Sequence, residues 1–158
     1  MLQPDVLAIS ETRLQINESM KVDNYKWVGN NRKQTQQRAL SGSGGVGLII
    51  NNSLTTKYDI QVLDDSHEDI LWVLLDAIRE EDREDSLVVG VCYIPPFGSS
   101  RGEHPDAFFD SLITCLHQYY SLGSVVICGN LNARCGYEVD LHEDYIGIIP
   151  RRQAILEI

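Results

Sequence analysis

The stretch Ser124-Val-Val-Ile-Cys-Gly-Asn-Leu-Asn132 constrains this chain more than any other. Ser124 to Cys128 is short, apolar and rich in β-branched side chains, which predicts a buried strand. Gly129 is expected to end that strand. Asn130 and Asn132 follow one residue apart. Positions i and i+2 of an extended chain face the same side, so the two amides would project together from the strand's C-terminal end. Open α/β sheets place their ligands at that end.

The rest of the chain supplies the partners for such a strand. A chain of 158 residues, 43% hydrophobic and 23% charged, can bury one sizeable core, so a single domain spanning 1–158 is expected. No apolar run is long enough to cross a bilayer, and Met1 to Asp5 lacks the basic start and apolar core of a signal peptide. The expected location is therefore soluble, nuclear or cytoplasmic, neither secreted nor at a membrane. Cys92, Cys115, Cys128 and Cys135 form no C-x-x-C pair and have no histidine at zinc-ligand spacing. Cys92, Cys115 and Cys128 fall inside apolar patterns and read as small core residues.

Net charge is −10, which argues against a nucleic-acid binder, since phosphate contacts need Lys and Arg. The charge is unevenly placed, however. Eleven of the 23 acidic residues lie between Asp59 and Asp85, as expected of one sheet edge and its turns. Asn30 to Arg38 is instead polar and basic, carrying Arg32, Lys33 and Arg38. This segment reads either as a solvated hairpin loop or as a contact to a phosphate backbone.

Strand-like runs recur along the chain: Val6–Ser10, Tyr25–Gly29, Val46–Ile50, Tyr58–Leu63, Ile70–Leu75 and Leu87–Tyr93. The last two flank the acidic turn Glu80–Asp85, which predicts a hairpin. One helix is predicted, opening at Pro105 with Asp106 near its positive end and closing at Gly123. Phe108, Phe109, Leu112, Ile113, Leu116, Tyr119 and Tyr120 recur at helical spacing and read as its packing stripe. Nothing after Gly136 reaches strand length. Mostly antiparallel strands with one long helix predict an α+β or layered sandwich.

Three of these runs end in distinctive polar groups: Glu11-Thr12, Tyr93-Ile-Pro-Pro96, and Asn130 with Asn132. If the three ends share one rim, the rim holds a carboxylate, a phenol and two amides. Mg²⁺ suits such a place, because it takes hard oxygen ligands, keeps waters and often needs only one or two protein carboxylates plus substrate phosphate.

The order of these motifs resembles the endonuclease/exonuclease/phosphatase superfamily. Pro4-Asp-Val-Leu-Ala-Ile-Ser-Glu-Thr12 is similar to its P-D-(apolar)-E-T segment, and Gly44-Gly-Val-Gly-Leu-Ile-Ile50 to its next strand. Tyr93-Ile-Pro-Pro96 resembles its tyrosine segment near the scissile phosphate, and Gly129-Asn-Leu-Asn-Ala133 its Gly-Asp-Phe-Asn-Ala signature. Trp27-Val-Gly-Asn-Asn-Arg32, Tyr93-Ile-Pro-Pro-Phe-Gly98 and Asn132-Ala-Arg-Cys-Gly136 look like the endonuclease domain of LINE-type (non-LTR) retrotransposons.

The resemblance implies a four-layer α/β/β/α sandwich, truncated at both ends, because an earlier asparagine strand and the late Ser-Asp-His motif have no counterpart here. Missing strands at both ends would leave sheet edges open, so a marginally stable chain is expected. Carried over residue by residue, Glu11 is the metal ligand, with Mg²⁺ or Mn²⁺ as cofactor. Tyr93 touches the phosphate or its leaving group, and Asn132 holds a phosphate oxygen or the attacking water. Position 130 should be the aspartate that activates that water, and here it is Asn130. Arg32, Lys33, Arg38 and Arg134 are the expected nucleic-acid contacts.

The implied function is a retrotransposon-derived, Mg²⁺-dependent DNA endonuclease, a hydrolase partnered by a reverse-transcriptase domain in its parent polyprotein. Asn130 and the missing motifs imply a weakly active or inactive copy. Two other readings stand beside it: a phosphoesterase acting on a different substrate, and a non-catalytic remnant that binds DNA or protein.

Overall fold

The structure, a computed structural model, describes residues 3–32, 44–79, 86–96 and 105–132, together with the backbone of Ile155–Leu156. Among the described residues, eight strands and one α-helix form two sheets and a covering layer, an α+β sandwich. The first sheet has the order β1-β3-β2, with β1 at Val6–Ser10, β2 at Tyr25–Asn30 and β3 at Val46–Asn51. The central β3 is antiparallel to both neighbours. A short 3₁₀ turn, Asn52–Thr56, then leads into the second sheet.

That sheet has the order β4-β5-β6-β7-β8. Its strands are β4 (Tyr58–Asp64), β5 (Ile70–Ala77), β6 (Leu87–Tyr93), β7 (Ser124–Asn130) and β8 (Ile155–Leu156). The expected hairpin is present, since β5 and β6 pair antiparallel from Ile70↔Cys92 to Leu75↔Leu87. The described pairings are mostly antiparallel, as expected, and the next one is an exception. β6 and β7 run parallel, and helix α1 (Pro105–Tyr119) provides the crossover that a parallel pair requires. β8, also parallel to β7, lies where no strand was expected, because two residues are too short to show a period.

Side-chain alternation along β5 and β6 divides the interior into two cores. Leu71, Val73 and Leu75 with Val89, Val91 and Tyr93 meet Val46, Leu48 and Ile50 of β3 between the sheets. Ile70, Trp72 and Leu74 with Val88 and Cys92 turn the other way, onto Phe108, Leu112, Cys115 and Tyr119 of α1. The helix opens at Pro105 with Asp106 in its first turn, as its sequence dictates. Its packing stripe is narrower than predicted. Phe109, Ile113 and Tyr120 are exposed and Cys115 takes a place in the core, because the sheet covers a single stripe of the helix.

Two further expectations are corrected. The helix stops at Tyr119, and Gly123 instead sits so close to the Ser86 carbonyl that a Cβ would overlap it. β7 does not stop before Gly129 but continues through it to Asn130. Among the described residues the layers are three-stranded sheet, five-stranded sheet and helix. Of the acidic stretch, Asp59 and Asp64 lie on β4, at the edge of the described sheet, with an irregularity between Val62 and Asp64. Asp76 lies on the interior strand β5, and the acidic turn Glu80–Asp85 lies outside the described residues.

Candidate functional site

β1, β6 and β7 bring their C-terminal ends to one side of the sandwich. Beyond β1 the backbone turns sharply. Glu11 and Arg13 both adopt left-handed conformations, with φ of 54° and 55°. For residues with a Cβ this costs on the order of 1–2 kcal/mol each, and the neighbouring segment holds them there. Thr12 N donates to the Gly45 carbonyl at 3.1 Å and Arg13 N to the Gly44 carbonyl at 2.9 Å. Gly45, at φ 83°, allows this close approach: a Cβ there would stand 2.6 Å from Thr12 Oγ1.

Tyr93 closes β6 with its ring in the inter-sheet core and its hydroxyl at the rim. The hydroxyl donates to Glu11 Oε1 at 2.7 Å. Tyr93 lies in register with Asn130 across the parallel pair, so three of the expected groups are brought together by backbone pairing and one hydrogen bond.

The two amides are arranged differently from the expected parallel projection. β7 ends at Asn130, whose Oδ1 accepts from Asn132 N at 2.9 Å, an Asx turn. Asn132 is left-handed, with φ 44°, and its Nδ2 donates to the Ile94 carbonyl at 2.7 Å. Ile94 N in turn donates to the Asn130 carbonyl at 2.8 Å. Both amides are exposed, and they form a stiff knot beside Tyr93. Just below, the parallel strands touch closely: Gly129, at φ 139°, presses against the Cys92 carbonyl. Burial, and then the nearby Cys128, push the Cys92 thiol up to about 12, so it stays a neutral packing group.

Of the expected nucleic-acid contacts, Lys33, Arg38 and Arg134 lie outside the described residues. Arg32 is committed inside the protein. Its Nη2 meets Asp69 Oδ2 at 2.7 Å and its Nε meets Asp69 Oδ1 at 3.3 Å. The sequence reading missed two residues of this region. Asn30 is buried and donates to the carbonyls of Asp65, His67 and Ile70. Asp69 is buried as well. Asn30 read as the first residue of a polar loop and Asp69 as one acid among many, and nothing local in the sequence separates them from their exposed neighbours.

Among the described residues, no three His, Cys, Asp or Glu side chains gather as a ready metal cage. Glu11 is the carboxylate of this rim. Its Oε1 accepts from Tyr93, and among the described residues its Oε2 makes no hydrogen bond. That donor set fits a Mg²⁺-type ion completed by water and substrate phosphate, since one carboxylate can suffice for such an ion.

No protein-family model matches the chain, and no curated protein matches it. Among solved structures it is similar to the crystal structure of TDP2 from C. elegans, with 14% identity and a TM-score of 0.47. The match covers 89% of this chain and 41% of that one, so the chain spans about two fifths of that structure's length. Among the described residues, no helix is long and apolar enough to cross a membrane.

Proposed function

We propose that this chain is part of a metal-dependent phosphodiesterase of the endonuclease/exonuclease/phosphatase kind, a retrotransposon-derived DNA endonuclease, and that its own hydrolytic activity is weak or absent. The observation that carries the reading is the convergence of Glu11, Tyr93 and Asn130, drawn from two sheets onto one rim in the order the motif resemblance requires.

Glu11 would hold Mg²⁺ or Mn²⁺ through Oε2, the oxygen that does not accept from Tyr93. Bound there, the ion would neutralise charge on a phosphate and lower the pKa of a water. The protein's own groups orient the substrate. Tyr93 offers its phenol beside whatever Glu11 holds, and the Asn130–Asn132 knot fixes amide groups against a phosphate oxygen or the attacking water. Phosphate contacts along the DNA fall to Lys33, Arg38 and Arg134, because Arg32 is taken by Asp69.

Asn130 limits the reaction. An amide can orient water by donating to it or accepting from it, but it cannot accept its proton. Loss of a general base costs on the order of 10²–10⁴-fold in rate. The same amide favours a second reading, a non-catalytic remnant that retains DNA binding. The parent protein would carry a reverse-transcriptase domain and act in the nucleus or cytoplasm.

Nicking of supercoiled plasmid with Mg²⁺ or Mn²⁺ tests both readings. The chain itself should stay at background, Asn130→Asp should raise nicking by at least about 10²-fold, and Glu11→Ala in that background should abolish the gain. Robust nicking by the unaltered chain would overturn the inactivity. Salt-dependent DNA binding with no nicking by Asn130→Asp would favour the remnant, and phosphate release from another ester would shift the substrate.

A further inference from the structure

The end of β2 and the turn between β4 and β5 meet beside the functional rim and are joined by polar side chains. Asn30, 3% exposed, places Nδ2 at 3.0, 2.8 and 2.9 Å from the carbonyls of Asp65, His67 and Ile70. Two residues on, Arg32 grips Asp69 with two nitrogens, and their side chains are only 12% and 7% exposed. Asp69 is also tied through its backbone. Its N–H donates to His67 Nδ1 at 3.2 Å, and its carbonyl accepts from Tyr93 N at 2.9 Å.

These contacts close a ring. Arg32 holds Asp69, Asp69 holds the backbone of Tyr93, and the Tyr93 hydroxyl reaches Glu11. Glu11 follows β1, which pairs with β3, which pairs with β2, which ends two residues before Arg32. The ring passes through both sheets and contains two of the four groups expected to do chemistry, Glu11 and Tyr93. Stability alone does not call for such a pair, because well-packed apolar residues often serve as well as a buried ion pair. A two-pronged guanidinium–carboxylate contact does supply fixed geometry.

We propose that Arg32 is a positioning residue for the rim: through Asp69 it sets where Tyr93 stands, and so whether the Tyr93 hydroxyl meets Glu11. The proposal rests on the reading of Glu11 and Tyr93 as the working groups. It replaces the expected contact of Arg32 with a DNA backbone by a role inside the protein.

The test uses the whole chain and reads Tyr93 by ultraviolet resonance Raman spectroscopy, which separates a phenol donating to a carboxylate from one in water. The Tyr93 signal is isolated by subtracting the spectrum of the matching Tyr93→Phe chain. Arg32→Ala should lose the donor signature while keeping its far-ultraviolet circular dichroism, and Arg32→Lys, which makes one prong, should keep part of it. Urea unfolding supplies a second readout. If Arg32 and Tyr93 were independent, the effects of Arg32→Ala and Tyr93→Phe on the unfolding constant would multiply. The double variant should fall short of that product by about fivefold, as coupled sites do.

A folded Arg32→Ala chain with the Tyr93 signature intact would overturn the proposal, as would multiplicative behaviour within about twofold. If Arg32→Ala does not fold, Arg32→Lys and Asp69→Asn decide by the same two readouts. Loss of DNA affinity in Arg32→Ala with an unchanged Tyr93 signal would return Arg32 to phosphate binding. Neither readout depends on nicking, so a chain that never cuts DNA refutes the reaction without touching this result.

Discussion

The Tyr93 hydroxyl donates to Glu11 Oε1 at 2.7 Å across two sheets that share no strand. Tyr93 belongs to the five-stranded sheet, and Glu11 follows the edge strand β1 of the three-stranded one. Within the sheets, backbone ladders fix the register, but between them packing is non-directional. A hydrogen bond at the rim therefore fixes the lateral placement of one sheet on the other. Tyr93→Phe keeps the ring in the core and removes this bond, so it should lower stability by about 1 kcal/mol, a typical net value where the released carboxylate regains water. Urea denaturation with an unchanged m-value would register it as a shift of midpoint alone.

The close approaches at Gly45 and Gly129 make a sharper claim. Alanine at 45 would meet Thr12 Oγ1 at 2.6 Å in a backbone conformation that L-residues resist. Gly45→Ala should therefore destabilise by about 2 kcal/mol, within the usual range for strain at a special φ. Gly129→Ala drives a methyl into the Cys92 carbonyl, which belongs to the backbone and cannot swing aside. It should disrupt the β6–β7 pairing and fold poorly or not at all. A Gly129→Ala chain as stable as its parent would refute the parallel pairing at that position.

Stability should also fall on the alkaline side. Burial, and secondarily Cys128, push the Cys92 thiol from 9.0 to about 12, and burial followed by the Asp64 carboxylate pushes Cys115 to about 11. The unfolded chain releases these protons near pH 9 while the folded chain holds them. Their contribution is therefore complete below pH 9 and is lost as pH rises through 11 to 12. Asp64 works in the opposite sense. Burial raises its pKa, but hydrogen bonds from Ser66 and Cys115 outweigh this and leave it lowered, so its share is lost as pH falls through and below 3.8. Urea midpoints followed from neutral to alkaline pH should decline, and Cys92→Ala should flatten part of that decline.

The strands were legible in the sequence because alternation and β-branched runs are local signals. The rim was legible because three apolar runs end in Glu11, Tyr93 and Asn130. The arrangement between elements was less visible. Nothing near Asn30 or Asp69 announces burial, since their partners lie 35 to 40 residues away for Asn30 and 37 for the Asp69–Arg32 pair. Asn132 illustrates the same limit over a shorter range. Its i+2 spacing from Asn130 implied a shared face, but the strand ended between them and the two amides closed a turn. The width of the helix stripe was likewise set by how much of the helix the sheet covers, which the spacing of Phe109, Ile113 and Tyr120 does not encode.

The Asn130→Asp substitution carries a prediction that needs no turnover. Asn130 Oδ1 accepts from Asn132 N, and an aspartate oxygen can do the same, so the Asx turn survives and stability in chelator should change by less than about 0.5 kcal/mol. The substitution adds a second carboxylate beside Tyr93, where Glu11 now supplies one. Mg²⁺ and Mn²⁺ sites commonly use one or two, and the second should tighten binding appreciably. Ligand that binds only the folded chain stabilises it by RT ln(1 + [L]/Kd), about 2.7 kcal/mol at a hundredfold excess over Kd. Thermal melts with and without millimolar Mn²⁺ should therefore show a clear upward shift in Asn130→Asp and a small one in the parent. Glu11→Ala should erase both shifts. A Mn²⁺ response that ignores Glu11 would place the ion elsewhere and remove the physical basis for reading this rim as a metal-dependent site.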